Sequence, residues 1–171
     1  MAPDIEELTE RIEKLEEDEE KSMSLIVTKG ELDEAYPALI LASTAASFGW
    51  DVNVFFTFYG LDVVHEEKHQ NLLVSPLGNP FHSLPNIISV LPGVEHLTTW
   101  FMKRKMDKNG VASVEELIDL SVETGVNLQA CQMTMELFEY EDEDLIEGVT
   151  SGVGAASALN EMSDTDMQLL I

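Results

Sequence analysis

The residue best suited to chemistry in this sequence is Cys131, the single cysteine among 171 residues. It follows the short apolar run of residues 126–130, which predicts a strand, and it precedes residues 132–138, which have a helical pattern. Open α/β sheets keep their sites at the carboxyl ends of strands, and the positive end of a following helix favours a thiolate over a thiol. Cys131 is therefore a candidate nucleophile. The alternative is that a lone cysteine is a small, buried hydrophobic residue.

A second pattern with catalytic spacing lies at residues 65–69, which read His-Glu-Glu-Lys-His. In zinc hydrolases two histidines at this spacing bind the metal, and the glutamate between them is the general base. Here the inner positions carry charges, a proline-rich stretch follows, and no third ligand is evident. We therefore expect His65 and His69 to lie on a solvated helix face, and we assign the chain no metal site and no cofactor.

Composition restricts the classes of partner and compartment. One cysteine excludes an internal disulfide and a zinc site built from several thiolates, and it favours a reducing, cytoplasmic compartment. The formal net charge is −24, from 33 acidic and nine basic residues. Nucleic acid is disfavoured as a partner, because it requires a basic footprint. An acidic coat of this size is typical of proteins that work at high salt and predicts a halophilic source.

The chain divides into two parts, residues 1–21 and residues 22–171. In the first part, leucines and isoleucines at intervals of three and four form one narrow stripe on a charged helix. This acidic amphipathic helix is either an oligomerisation segment or a helix that packs on its own domain or frays. No membrane span is predicted, because the longest apolar stretch, residues 35–48, is interrupted and shorter than roughly 20 residues.

From residue 22 onward, short apolar runs alternate with helical patterns, which predicts βαβ units around a mostly parallel sheet. The predicted strands are residues 23–28, 51–58, 126–130, 147–150 and 167–171. The predicted helices are residues 31–48, 61–70, 94–106, 113–124 and 152–161. Ser113 and Glu116 have the spacing of a capping box at the start of one helix. Residues 71–93 carry four of the six prolines and predict a long loop or lid.

Five stretches taken together resemble one group of proteins: Phe55–Leu61, Ser75–Pro80, Leu91–Gly93, Thr99–Met102 and Ala130–Met135. The group is the DsrE/DsrF-like sulfur-relay superfamily, and within it the DsrE-like branch that is often labelled peroxiredoxin family. The resemblance covers roughly residues 22–171. It implies a Rossmann-like, three-layer α/β fold with a central, mainly parallel sheet of about five strands, and assembly as a small homo-oligomer.

The resemblance also implies a role for the cysteine. Cys131 is expected to accept sulfane sulfur as a persulfide and to pass it to the thiol of a TusA-like or rhodanese-like carrier. The predicted binding residues lie in the matching stretches: Thr57, Phe58, Gly60, Gln132, Met133 and Met135. Peroxide reduction is disfavoured, because the chain has no second cysteine to act as resolving thiol. Whether the protein is a sulfurtransferase enzyme stays open, and the alternative is a non-catalytic ligand-binding or scaffold module in which Cys131 is structural.

Overall fold

The structure, a computed structural model, describes residues 21–75 and 93–171. The predicted N-terminal helix, apart from residue 21, and most of the predicted loop of residues 71–93 lie outside these ranges.

Strands and helices alternate along the described chain. The strands are β1 (Ser22–Val27), β2 (Asp51–Phe56), β3 (Asn127–Cys131), β4 (Val149–Val153) and β5 (Met167–Leu170). The α-helices are α1 (Leu32–Ser47), α2 (Val94–Lys108), α3 (Val114–Glu123), α4 (Gln132–Phe138) and α5 (Ala155–Ser163). Short 3₁₀ turns occupy Phe58–Val64, His69–Asn71 and Asp142–Asp144.

The five strands form one parallel sheet in the order β4-β3-β2-β1-β5. Strand side chains alternate between the faces of a sheet, and residues in register share a face. Leu25, Val54 and Leu128 are in register on β1, β2 and β3 and are fully buried. These three residues form the centre of a core to which α1 and α3 also contribute.

The strand order places helices on both faces of the sheet. The step from β4 to β5 reverses direction across the sheet, so a right-handed crossover places α5 on the face opposite α1. A hydrogen bond from Gln129 Nε2 to Glu161 Oε2, 2.6 Å long, ties α5 to β3. The sheet therefore lies between two helical layers, which confirms the predicted three-layer α/β fold. The capping box is also present, with the Glu116 N–H donating to Ser113 Oγ at 3.1 Å and the Ser113 N–H donating to Glu116 Oε2 at 2.7 Å.

The predicted helix over residues 61–70 is wrong. Residues 64–66 pair instead with residues 144–146: the Glu66 N–H donates to the Asp144 carbonyl at 2.8 Å, and the Ile146 N–H donates to the Val64 carbonyl at 3.0 Å. Backbone groups engaged in this way are not available to an α-helix, and the segment forms 3₁₀ turns on either side of an isolated bridge at His65.

The expected solvated face at His65 and His69 is wrong as well, because both side chains are buried, each 6% exposed. The His65 ring meets the Tyr140 ring edge-on with centroids 4.7 Å apart, and His69 Nδ1 lies 2.9 Å from the His65 carbonyl oxygen. Within the described ranges, no three His, Cys, Asp or Glu side chains are grouped in a way that could hold a metal ion. The two histidines are packing residues of the core's edge.

A close backbone approach locks the loop after β2 against the end of β1. The Thr57 N–H donates to the Val27 carbonyl oxygen at 2.9 Å. A Cβ added at Gly60 would lie 2.2 Å from the same oxygen, well inside van der Waals contact. Gly60 is therefore needed for the loop to come this close to β1.

Replacing Gly60 with alanine is expected to lower the free energy of unfolding by about 1–3 kcal/mol, because the added methyl group meets rigid backbone. Gly154 provides a matched control, since a Cβ there meets nothing within 4 Å and its φ is −74°. Urea denaturation of G60A, G154A and the parent measures both effects. We expect a smaller loss for G154A, about 1 kcal/mol or less, because Gly154 is the N-cap of α5 and alanine caps a helix less well than glycine. Equal stabilities for the two variants would contradict the close approach.

Candidate functional site

Cys131 is the last residue of β3 and the residue that precedes α4, as the sequence predicted. Its strand lies between β2 and β4, and the register with β4 shifts between Gln129 and Cys131. A shift of this kind bends a strand and re-aims its side chains, and such bulges occur next to active sites. The side chain is 5% exposed. The thiol therefore lies at the carboxyl edge of the sheet, just below the surface.

Two threonine hydroxyls meet at this edge. Thr57 directly follows β2, Thr134 lies in the first turn of α4, and their Oγ1 atoms are 3.2 Å apart. Thr134 Oγ1 also accepts a hydrogen bond from the Phe58 N–H at 3.1 Å. Phe58 has a φ of 49°, a left-handed conformation that costs a large side chain about 1–3 kcal/mol unless its surroundings hold it. The hydrogen bond to the Thr134 hydroxyl stabilises this conformation of Phe58 and joins the β2 loop to the helix that follows Cys131.

The protons of these hydroxyls are available to the sulfur. Each hydroxyl has one proton to donate, so only one of the pair donates to the other. If Thr57 donates to Thr134, then Thr134 donates its own proton onward; in the opposite arrangement Thr57 does so. Either arrangement leaves one hydroxyl proton for a thiolate at Cys131.

Opposing influences set the pKa of the Cys131 thiol. Burial raises the pKa, because it penalises the charged form. Hydrogen bonding to Thr134 and Thr57, and the N–H groups of Thr134 and Met133, favour the thiolate and lower it. The hydrogen bonds and N–H groups outweigh burial, and the pKa of Cys131 lies below the ordinary value of a cysteine. The resting side chain does not form an N-cap hydrogen bond, so the N–H groups act on the thiolate mainly as oriented dipoles.

Large apolar side chains are exposed around this edge. They form an apolar patch of Phe58, Tyr59, Met133 and Leu137, whose exposed fractions are 56%, 64%, 73% and 62%. Met133 and Leu137 are one turn apart on α4 and share a face. The Tyr59 ring stacks on the ring of Phe138, with centroids 5.8 Å apart, which fixes the β2 loop beside the helix. The patch is thus a preformed surface next to the cysteine.

A polar cleft adjoins the patch. It has a volume of 270 Å³ and is lined by Tyr59, Asp62, Lys68, Phe138 and Tyr140. Lys68 Nζ donates to Asp62 Oδ1 at 2.8 Å and to the Tyr140 hydroxyl, and that hydroxyl donates to Asp62 Oδ1 at 3.0 Å. Burial lowers the pKa of Lys68, but its bonds to Asp62 and Tyr140 outweigh burial and raise it. Lys68 therefore stays an ammonium group whose charge is matched by Asp62.

The structure brings some of the predicted site residues together and separates others. Thr57 and Phe58 meet the first turn of α4, and Met133 is exposed on the same turn. Gly60 acts through its backbone, as described above. The Gln132 amide donates to Glu136 Oε1 at 2.9 Å on the outer side of α4, and Met135 is 6% exposed and belongs to the core.

Sequence reasoning missed the residue that connects these parts, Thr134. A hydroxyl three residues after the cysteine was the available signal, since the third residue of a helix faces the residue that precedes its first turn. The cluster of Asp62, Lys68 and Tyr140 was also missed, because its members are far apart in the chain and no local sequence pattern indicates that they meet.

In the described part of the chain, none of the helices has the length and apolar character required to cross a membrane.

Known proteins match this chain over nearly its whole length. The sequence matches the model of the DsrE/DsrF/DrsH-like family over residues 19–170. It is 45% identical over 161 residues to the sulfur carrier protein DsrE2 of Allochromatium vinosum, a match that covers 90% of this chain and 99% of that protein. It is 27% identical over 156 residues to YrkE, an uncharacterized protein of Bacillus subtilis, with 88% and 97% covered.

A solved structure resembles this fold. The crystal structure of the ychN protein from E. coli covers 88% of this chain and 99% of that one, with a TM-score of 0.50 and 10% sequence identity. At this identity the similarity concerns the fold alone.

The hydroxyl at residue 134 is expected to control the reactivity of the cysteine. In T134V the thiolate loses a donor, so the pKa of Cys131 rises and alkylation by iodoacetamide at pH 7 slows. T134S keeps the hydroxyl and serves as the matched control. The rate of alkylation measured from pH 5 to 10 gives the midpoint for each protein. We expect midpoints below the ordinary value of a cysteine for the parent and T134S, and a higher midpoint for T134V. An unchanged midpoint in T134V would show that the Thr134 hydroxyl does not act on the sulfur.

Proposed function

The chain belongs to the DsrE/DsrF/DrsH-like family, and we propose that within it this protein is a sulfur carrier that holds sulfane sulfur as a persulfide on Cys131. The observation that carries the proposal is the position of the only thiol in the chain, at the carboxyl edge of β3, directly before α4 and beside the paired hydroxyls of Thr57 and Thr134. The lowered pKa of Cys131 agrees with this position. A relative with 45% identity and the name of sulfur carrier supports the same role.

Loading takes place by attack on the outer sulfur of a donor persulfide. The Cys131 thiolate forms a new S–S bond to that sulfur, the donor's S–S bond breaks, and the donor leaves as a thiolate. No electrons are gained or lost overall, since one sulfane sulfur moves from one thiol to another. The hydroxyls of Thr57 and Thr134 stabilise the attacking thiolate before the bond forms.

Unloading reverses these roles. The acceptor's thiolate attacks the terminal sulfur of the Cys131 persulfide, and Cys131 leaves as a thiolate. A thiol of low pKa leaves faster, so the same hydrogen bonds that favour attack also favour release. The exposed sulfur of Met133 and the ring of Phe58 provide polarizable contacts for the terminal sulfur. Gly60 keeps the Thr57 loop in place, Met135 anchors the helix in the core, and Gln132 lies on the side open to a partner.

A single thiol favours a carrier over a redox enzyme. Peroxide reduction usually relies on a resolving thiol, and disulfide exchange within one chain needs a second cysteine, which the sequence lacks. The acceptor must therefore be an external thiol, such as that of a TusA-like or rhodanese-like carrier, or Cys131 of another subunit of a homo-oligomer. A cytoplasmic location and a halophilic source stay predictions from composition.

One observation favours a second candidate. Cys131 is 5% exposed, which suits a structural cysteine in a non-catalytic module that binds a small ligand or assembles a complex. The two candidates differ in whether the folded protein's sulfur reacts.

Loading is tested by incubating the reduced protein with polysulfide and recording intact mass. We expect an adduct of about 32 Da per sulfur atom, removed by reductant and absent from Cys131→Ser. The measurement is repeated at high salt, where an acidic protein's self-repulsion is screened.

A denatured sample provides the control for access. If the thiol reacts only after denaturation, while the folded protein stays unmodified at every salt concentration, then Cys131 is structural and the binding module becomes the better assignment.

A further inference from the structure

We propose that the apolar patch and the carboxylates around it form the docking surface for the sulfur acceptor, and that the acceptor presents its thiol within a positively charged protein surface. This proposal rests on the sulfur-carrier function and specifies the chemistry of the partner at the same site.

The apolar patch has the properties of an interaction surface. Each of its four side chains is more than half exposed. Single exposed apolar residues are ordinary, but Phe58 and Tyr59 are adjacent in the chain, and both are tied to α4, whose outer face carries Met133 and Leu137. Large apolar side chains collected at one place mark sites where another molecule binds. Because Cys131 lies directly under this edge, a partner seated on the patch is also placed at the sulfur.

The charge around the patch indicates the sign of the partner's charge. Residues 132–144 contain six acidic side chains, which are Glu136, Glu139, Glu141, Asp142, Glu143 and Asp144, and no Lys or Arg. Three of them, Glu136, Glu139 and Glu141, line a shallow cleft of 380 Å³ along α4 together with Gln132, Met135, Tyr140 and Gly152. On the other side of the patch, the charge of Lys68 is matched by Asp62. The surroundings of the patch are therefore strongly negative.

Physical complementarity then selects a basic partner. Opposite charges around a central apolar contact steer association and fix the orientation of docking. A second copy of this chain would bring two acidic surroundings together, and like charges in an interface oppose association. Nucleic acid is excluded by the same sign of charge. A protein with Lys and Arg around an exposed thiol fits both parts of the surface.

Docking also has a chemical consequence. A partner that covers the apolar patch removes water from the edge of the sheet, where an exposed persulfide would otherwise meet any small thiol. The acceptor's thiol then approaches the terminal sulfur in one orientation. Selective transfer to a carrier, in preference to free thiols, follows from this arrangement.

The experiment uses three peptides that differ only in charge. Each is an amphipathic helix with leucines on one face and one central cysteine, and the flanking residues are Lys, Glu or Gln. Protein loaded with one sulfur on Cys131 is mixed with each peptide, and sulfur transfer is followed by mass. At low salt we expect transfer to the Lys peptide to be at least about tenfold faster than to the Glu peptide, with the difference shrinking as salt is added.

Two pairs of variants locate the surface. E136Q/E139Q is expected to slow transfer to the Lys peptide, while D119N/E123Q, which removes the same charge from exposed positions on α3, is expected to leave it unchanged. L137Q is expected to slow transfer to all three peptides. Its control is L159Q on α5, where the leucine is 68% exposed and is not part of the apolar patch. All rates are divided by the fraction of protein loaded.

Binding without chemistry separates this proposal from the function on which it rests. Cys131→Ser protein is titrated with fluorescent forms of the peptides that carry serine at the central position, and anisotropy reports binding. Preference for the Lys peptide, lost in E136Q/E139Q, supports the docking surface even if polysulfide fails to load Cys131. Normal loading with equal transfer to the Lys and Glu peptides, or equal effects of the α3 and α4 charge variants, overturns the docking surface and leaves the sulfur carrier in place. Faster transfer between two copies of the chain than to the Lys peptide also overturns it.

Discussion

The arrangement of the site depends on the hydrogen bonds of one hydroxyl, that of Thr134. It accepts the N–H of Phe58 and lies within hydrogen-bond distance of the Thr57 hydroxyl, so a single atom joins the loop after β2 to the helix after β3. The same contact keeps Phe58 in a left-handed conformation that a phenylalanine would otherwise leave. The pKa of Cys131 and the shape of the surface beside it are thus coupled, because both depend on the position of this threonine.

The parallel sheet makes that contact available. In a parallel sheet the carboxyl ends of neighbouring strands lie at the same edge, so residues that follow β2 and β3 meet although more than seventy positions separate them in the chain. Close backbone contact between the β2 loop and the end of β1, which requires Gly60, presses the loop toward this edge. The position of Thr57 is therefore determined by the sheet and by a glycine, and only then by its own hydrogen bond.

Charge and polarity are divided between the sulfur and its surroundings. Directly at the thiol, hydroxyls and backbone N–H groups favour negative charge, while the carboxylates of the segment after α4 lie on the outer side. Those carboxylates do not prevent the lowering of the thiol's pKa, since polar groups beside the sulfur act more strongly than exposed charges that water screens. They act instead on molecules that approach from outside, since the net charge of −24 attracts basic molecules and repels acidic ones.

The sequence by itself determined the class of fold, the order of the elements and the place of Cys131 between a strand and a helix, because these follow from local hydrophobic periodicity and from caps such as that of Ser113 and Glu116. It also determined the acidic charge and the absence of a second thiol, which are matters of composition. It failed at residues 61–70, where pairing with residues 144–146 replaced the helix that the local pattern predicted. Only the tertiary structure decided that His65 and His69 are buried, that Met135 belongs to the core, and that Thr134 joins Thr57 and Phe58. The reason is that these outcomes depend on contacts between residues distant in the chain, which the local spacing of residue types does not predict.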